Sequence, residues 1–358
     1  MALIDKLLAA TRSQGASDLH MVAGSPPAMR VNGRLLPTSL PPFTKEDVSR
    51  IVGVFLSAST GARAKLNDEG QVDLAFEPDD GGRFRVNIYR TRNGLSCAVR
   101  AVPDAIASLG ELGLPDDFGK LTSQPQGLIL VTGPTGSGKS TTMAAFIDKI
   151  NREQSTHIIT FEDPIEFVHQ PKKSLVSQRE YGIDYHDTAR AVRASLRQDP
   201  DVILVGEMRD TETMQAALTV AETGHLALAT LHTTGATGTV TRIIDSFPPD
   251  KIRQVRIQLS FCLTAVVSQT LLPNKDGTGR VLATEYLRVT HAVRSLIREG
   301  KEHQLYSSIQ SGGAQGMHTL NRSLAKLVKA GLLDPQVALE KSNRQDELRK
   351  HLSGQGEA

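Results

Sequence analysis

The run Gly133-Pro134-Thr135-Gly136-Ser137-Gly138-Lys139-Ser140, directly after the apolar stretch Leu128-Ile129-Leu130-Val131, constrains this chain more than any other feature. Four residues separate Gly133 from Gly138, and Lys139 and Ser140 follow, which is the phosphate-loop spacing. The glycines allow backbone N–H groups to turn inward around a polyphosphate. Lys139 brings a point charge to the β- and γ-phosphates, and Ser140 offers a hydroxyl to Mg²⁺. Such a loop needs a strand before it and a helix after it. Thr141-Thr142-Met143-Ala144-Ala145-Phe146-Ile147 can open that helix, whose N-terminal dipole then faces the phosphates. The nucleotide-binding set is therefore Gly133 to Thr141, with Pro134, Thr135, Gly136 and Ser137 as the loop crown.

The rest of the chain fits an α/β nucleotide-binding protein with a separate domain in front. Its 358 residues suffice for two domains. A net charge of +2 and 4% aromatic residues give no basic surface or stacking platform for nucleic acid. Cys97 and Cys262 are far apart, which argues against a zinc site or a disulfide framework. No secretory segment is seen, and no run approaches the ~20 apolar residues of a spanning helix. Leu263–Leu272 comes nearest, interrupted by Ser268, Gln269 and Thr270. Direct membrane insertion is not expected.

The first hundred residues read as a small α+β domain, 1–101. An amphipathic helix is expected within 1–17, with Leu3, Ile4, Leu7 and Leu8 on its apolar face. Short strands follow at 17–22, 28–31 and 34–36, the last two joined by the hairpin pair Asn32-Gly33. A helix over 44–56 has Thr44 as N-cap and Asp47 at its third position. Strands at 72–77 and 83–90 are joined by Asp79-Asp80-Gly81-Gly82, and a third runs 95–101. The Pro- and Gly-punctuated stretch 102–115 is read as a linker. In 116–358, strands at 127–132, 156–161, 201–206 and 226–231 alternate with helices at about 139–151, 187–198 and 211–223. That rhythm predicts a mostly parallel sheet covered by helices on both faces. Residues 291–350 are helical in pattern, and 353–358 are expected to fray.

In an open α/β sheet, ligands bind at the carboxyl ends of the strands. Glu162, Asp163 and Glu166 follow the second strand, and a carboxylate there can orient or deprotonate an attacking water. Val202-Ile203-Leu204-Val205-Gly206-Glu207 ends the third, with Gly206 where an Asp is usual, so that Glu207 reaches a metal alone and partly through water. His225 and His232 bracket the fourth. His232 falls where it can sense a γ-phosphate, although either histidine could equally be structural. Arg190, Arg193 and Arg197 share one helical face, either solvated or available to phosphate or a neighbouring subunit.

Phe161-Glu162-Asp163-Pro164-Ile165-Glu166, Leu196-Arg197-Gln198-Asp199-Pro200-Asp201, Val205-Gly206-Glu207-Met208-Arg209-Asp210 and Thr223-Gly224-His225 through Thr230-Leu231-His232-Thr233-Thr234 follow the loop in that order. Together they resemble the secretion and type IV pilus ATPase superfamily over nearly the whole chain. The start at Ser17-Asp18-Leu19-His20, the lack of a tetracysteine insert and the segment Ala292–Glu299 resemble its pilus-retraction branch. The resemblance implies a PAS-like N-terminal domain and a RecA-like ATPase domain. It implies a cytoplasmic homohexamer that hydrolyses ATP with Mg²⁺ to power retraction and twitching motility. The ring would be held peripherally at the inner membrane by the pilus platform protein. It makes Glu166 the catalytic glutamate beside Lys139, Glu207 the second acid, and His225 and His232 a histidine box. Arg85, Arg100, Arg193 and Arg197 become candidate phosphate contacts. The alternatives are an accessory retraction ATPase or another ATPase of the superfamily, and more remotely a RecA-type nucleic-acid translocase. Ser295 and Val293 depart from the branch's usual Asn and Ile, and Ser lacks the amide's fixed donor–acceptor pair.

Overall fold

The computed structural model describes residues 3–354 apart from 32–33, 59–60, 79–80 and 103–104, and apart from the side chain of Asp116. The hairpin pair Asn32-Gly33, the turn residues Asp79 and Asp80, and 355–358 of the expected frayed end lie outside the described residues. The chain divides into two compact units, Met1–Ala105 and Ile106–Ala358.

The first unit runs α1 (Leu3–Ser13), β1 (Asp18–Val22), β2 (Ala28–Val31), β3 (Arg34–Pro37), α2 (Lys45–Ser57), α3 (Ala62–Glu69), β4 (Gln71–Phe76), β5 (Arg83–Thr91) and β6 (Gly94–Val102). Its strands form one antiparallel sheet in the order β3-β2-β1-β6-β5-β4. Strand alternation decides which face is buried. Phe84, Val86 and Ile88 point into the core from β5, with Cys97 and Val99 from β6. Ile4, Leu7 and Leu8 of α1 cover that face, whereas Leu3 stays exposed, contrary to the expected stripe. α2 begins with the expected capping box. The Thr44 hydroxyl accepts the Asp47 N–H at 3.1 Å, and the Asp47 carboxylate accepts the Thr44 N–H at 2.9 Å. α3 has few apolar residues and lies between Gly61 and Gly70, both left-handed, so it gave no periodic signal. Phe55 of α2 is fully buried and meets Phe76 edge-on at 4.9 Å. Phe55→Ala is expected to destabilise this unit by about 3–5 kcal/mol through the cavity it leaves. Denaturant unfolding checks this, and a loss below about 1 kcal/mol would mean that the core closes over the gap.

The second unit runs α4 (Asp116–Gly119), β7 (Gly127–Thr132), α5 (Lys139–Glu153), β8 (His157–Glu162), β9 (Leu175–Glu180), α6 (Thr188–Ser195), β10 (Val202–Val205) and α7 (Thr211–Glu222). It continues with β11 (Leu226–Leu231), α8 (Ala236–Asp245), α9 (Ile252–Cys262), β12 (Leu263–Pro273) and β13 (Arg280–Arg288). It ends in α10 (His291–Arg298), α11 (Leu305–Ser311), α12 (Leu320–Lys329), α13 (Pro335–Lys341) and α14 (Gln345–Leu352). The sheet order is β13-β12-β7-β11-β10-β8-β9, parallel throughout except for β13. Every residue of β7, β10 and β11 is buried, as a sheet covered on both faces requires. Leu128 and Leu130 face the side packed by α6 to α10, and Ile129 and Val131 the side packed by α4 and α5.

Several sequence expectations change here. The apolar run 263–272 is strand β12, which pairs with β7 and β13, and its interrupting Gln269 is buried and donates to the Thr142 hydroxyl at 2.7 Å. β9 had no apolar run to mark it; parallel pairing with β8 holds it at the sheet edge. The helix expected over 187–198 stops at Ser195, which leaves Arg197 in the following turn. Of the stretch 102–115, Val102 ends β6, and Leu109 and Leu114 are buried in the second unit's core.

Candidate nucleotide site

The parallel strands bring four loops to one edge of the sheet, because Thr132 pairs with Leu231, and Val205 with both Ala229 and Phe161. After β7 the chain makes the glycine loop, with Gly133, Gly136 and Gly138 at φ 144°, 78° and 88°. A Cβ on Gly133 would stand 2.4 Å from the Gln269 carbonyl oxygen and 2.6 Å from Ser137 Oγ, so the loop folds this tightly only with glycine there. α5 starts at Gly138 with no side-chain cap, so its first N–H groups are left for an external acceptor. Ser137 Oγ is buried without a hydrogen-bond partner. Pro134, Thr135, Gly136 and Ser140 are exposed at the mouth, and Thr141 is half-buried.

The other strand ends converge on Lys139. Its ammonium donates to the Gly133 carbonyl at 2.9 Å and the Pro134 carbonyl at 3.1 Å, and lies 3.4 Å from His232 Nδ1. Burial pushes its pKa below the usual lysine value, against the pull of the Glu207 and Glu166 carboxylates. His232, one residue past β11, reaches Glu207 Oε1 at 3.0 Å through Nε2. Arg209 binds Glu207 Oε2 at 2.9 Å and Asp163 at 3.1 Å. A continuous chain, Lys139–His232–Glu207–Arg209–Asp163, thus ties all four strand ends together. Arg209 was missed as a site residue. Its signal was its place two residues past the acid that ends β10.

The three acids after β8 are not equivalent. Glu162 Oε1 accepts the Thr160 hydroxyl at 2.6 Å and Gln178 Nε2 at 3.0 Å. Burial raises its pKa over the effect of those bonds. Glu166 is exposed and acts on the Lys139 charge. Gly206 also has a structural reason: a Cβ there would lie 2.9 Å from the Phe161 carbonyl oxygen and 3.3 Å from Glu162 Cα. The aspartate usual at this position would force β10 away from β8. Gly206→Asp is therefore expected to destabilise the second unit by about 1–3 kcal/mol. Thermal unfolding measures this, and an unchanged midpoint would contradict the tight-packing reading.

Other expected site residues lie elsewhere. His225 stands at the start of β11, on the opposite edge, with Nδ1 at 3.1 Å from the Thr223 hydroxyl and 3.2 Å from the Val220 carbonyl. The strand between it and His232 spans roughly 20 Å, so the two histidines share no site within the chain. Arg197 is also at that far edge, next to Gln198, whose carbonyl meets His157 at the start of β8. Arg193 is exposed on α6. In the first unit Arg85 and Arg100 are cross-strand neighbours, paired with Asp73 at 3.8 Å and Asp18 at 2.8 Å. Ser295 of α10 accepts an Arg298 N–H at 3.2 Å, while Val293 and Ile297 fix the helix by burial.

An anionic polyphosphate fits this edge: it meets uncapped helix N–H groups, an unpartnered buried hydroxyl and a partly buried lysine. Among the described residues no group of three or more His, Cys, Asp or Glu side chains could hold a metal by itself. Ser140 at the loop mouth and Glu207 at the end of β10 are the residues that could hold a Mg²⁺ ion brought with a nucleotide.

The chain belongs to the type II/IV secretion system protein family, whose model matches residues 1–277. It is 47% identical over 339 residues to the type IV pilus retraction ATPase PilT of Pseudomonas aeruginosa, covering 95% of this chain and 98% of that one. The type IV pilus ATPase PilU of the same organism is 39% identical over 346 residues, covering 96% and 90%. A crystal structure of the pilus retraction motor PilT with bound ADP superposes with a TM-score of 0.90 at 47% identity, covering 98% of this chain and all of that one.

Proposed function

We propose that this chain is an ATP-hydrolysing motor that powers type IV pilus retraction, and with it twitching motility. The observation that carries the reading is the linked set Lys139–His232–Glu207–Arg209–Asp163 around an uncapped phosphate loop. The identity to a retraction ATPase, higher than that to PilU, supports retraction over the accessory paralogue.

When bound, Mg²⁺ supplies charge neutralisation at the β- and γ-oxygens. The loop N–H groups and Lys139 hold the phosphates. Lys139 exchanges its two carbonyl acceptors for phosphate oxygens, which restores the counter-charge that its burial demands. Glu166, free of the bonds that tie Glu162, orients and deprotonates the attacking water. His232, linked to Glu207 and Lys139, reports whether the γ-phosphate is present. Arg85, Arg100, Arg193 and Arg197 supply further phosphate contacts, with Arg193 and Arg197 acting on a neighbouring subunit. His225 belongs to the same histidine box through the ring.

The first unit acts as a PAS-like domain and the second as a RecA-like engine. Six chains form a cytoplasmic ring that turns the inner-membrane platform protein. No described helix is long and apolar enough to cross a membrane. Purified protein tests the reading. The expected result is Mg²⁺-dependent ATP turnover by a particle of six chains. Turnover that survives chelation, or a chain that stays monomeric at all nucleotide loads, would contradict it.

A further inference from the structure

A cavity of about 400 Å³ opens in the second unit at the edge of the sheet where its parallel strands begin. Gly127, the first residue of β7, and Thr264, the second of β12, both border it. β7 runs from this cavity to the phosphate loop, so roughly 20 Å of strand separates the two places. The volume lies within the range of small-molecule sites.

The cationic groups of the cavity lack an anion. Arg288, the last residue of β13, and Arg294 of α10 both line it. Arg294 donates to the Phe261 carbonyl at 3.2 Å, a neutral acceptor that leaves the charge uncompensated. Among the described residues the Arg288 side chain has no hydrogen bond or ion pair. Asp117 is the one acid in the lining, and it is already paired with Lys120. Two hydroxyls share this condition. Tyr286 is 2% exposed, packs its ring against Phe118 at 4.7 Å and lines the cavity. Neither its hydroxyl nor that of Thr264 has a hydrogen-bond partner among the described residues. A buried hydroxyl left without a partner costs free energy, and so do two like charges held in one cavity.

One group answers all of these demands. A carboxylate carries a single charge and two oxygens, which leaves one guanidinium uncompensated. A phosphate monoester carries close to two charges and three free oxygens, and guanidinium forks match its geometry. Phe261 beside the arginines is 61% exposed and offers an apolar plate to the carbon part of the molecule. We propose that this cavity is a second ligand site, for a small phosphate ester. Arg288 and Arg294 hold its charge, and Tyr286 and Thr264 donate to the remaining oxygens. The site is independent of the nucleotide reading of the phosphate loop.

Calorimetric titration of the full chain, already saturated with Mg²⁺–ADP, tests this with ribose 5-phosphate and with ribose as the control. Ribose 5-phosphate should bind once per chain, and ribose should not bind. Arg288→Ala, a change at an exposed side chain, should weaken binding by about 10- to 100-fold through the lost charged hydrogen bonds. Tyr286→Phe, which keeps the ring against Phe118, should weaken it by about 2- to 10-fold. Lys139→Ala, titrated without nucleotide, should bind ribose 5-phosphate as the wild type does. A parallel arm uses phosphatidylcholine vesicles with and without phosphatidic acid. Capture that needs phosphatidic acid and Arg288, with ribose 5-phosphate left unbound, would assign the phosphate to a lipid headgroup. Three results would overturn the proposal: no binding of either phosphate probe; equal binding by the wild type and Arg288→Ala; or binding lost in Lys139→Ala and kept in Arg288→Ala, which would place the phosphate in the loop.

Discussion

Lys139→Ala is expected to lower kcat/KM for ATP by about 10³-fold, with most of the loss already visible as failed nucleotide binding. The side chain is the positive group at the centre of the loop, and nothing nearby replaces it: His232 is 3.4 Å away but turned to Glu207, and Arg209 is committed to Glu207 and Asp163. Removing the ammonium also leaves the Glu207 and Glu166 carboxylates facing incoming phosphates without an intervening cation. Charge repulsion then adds to the lost contact. Titration with a fluorescent ATP analogue and steady-state phosphate release together read the effect. Turnover at the wild-type rate would mean that the phosphates bind elsewhere.

Glu166→Gln should separate binding from chemistry. The substitution keeps the size of the side chain and removes its capacity to take a proton. kcat is expected to fall by about 10²- to 10⁴-fold, with KM little changed, because the group acts on the attacking water and not on the bound phosphates. The same change at Glu162 should behave differently. That carboxyl already accepts from Thr160 and Gln178, so Glu162→Gln disturbs the β8–β9 contact first and turnover only through it. If Glu162→Gln abolished turnover while Glu166→Gln spared it, the assignment of the base would be reversed.

The phosphate loop and the strand rhythm were legible because each rests on local order. Glycines sit at fixed offsets, and apolar runs alternate with helical ones. Gly133 and the buried strand β7 then match one-dimensional signals closely. The edge of the site was legible in the same way, since strand-end acids mark it whatever the remaining topology. What sequence could not supply was pairing. Arg209 joins Glu207 to Asp163 only because β10 lies beside β8 in the sheet, an adjacency between residues far apart in the chain. The distinction between Glu162 and Glu166 depends likewise on Gln178 of the edge strand β9. β12 carried an apolar run of uncertain meaning until its pairing with β7 explained why Gln269 is buried in it. The separation of His225 from His232 follows from the strand between them. Spacing recorded that strand, but reading the two residues as one motif obscured it.

The measurement that bears most directly on the central claim is deletion of the gene in its host, complemented by wild type or by Glu166→Gln, with pilus number and surface motility scored in the same cells. Retraction driven by hydrolysis at this site predicts abundant pili and lost motility in the deletion, with motility restored by wild type but not by Glu166→Gln. A deletion strain without pili would contradict retraction and indicate an assembly or secretion motor. Full rescue by Glu166→Gln would contradict the role of hydrolysis at this site.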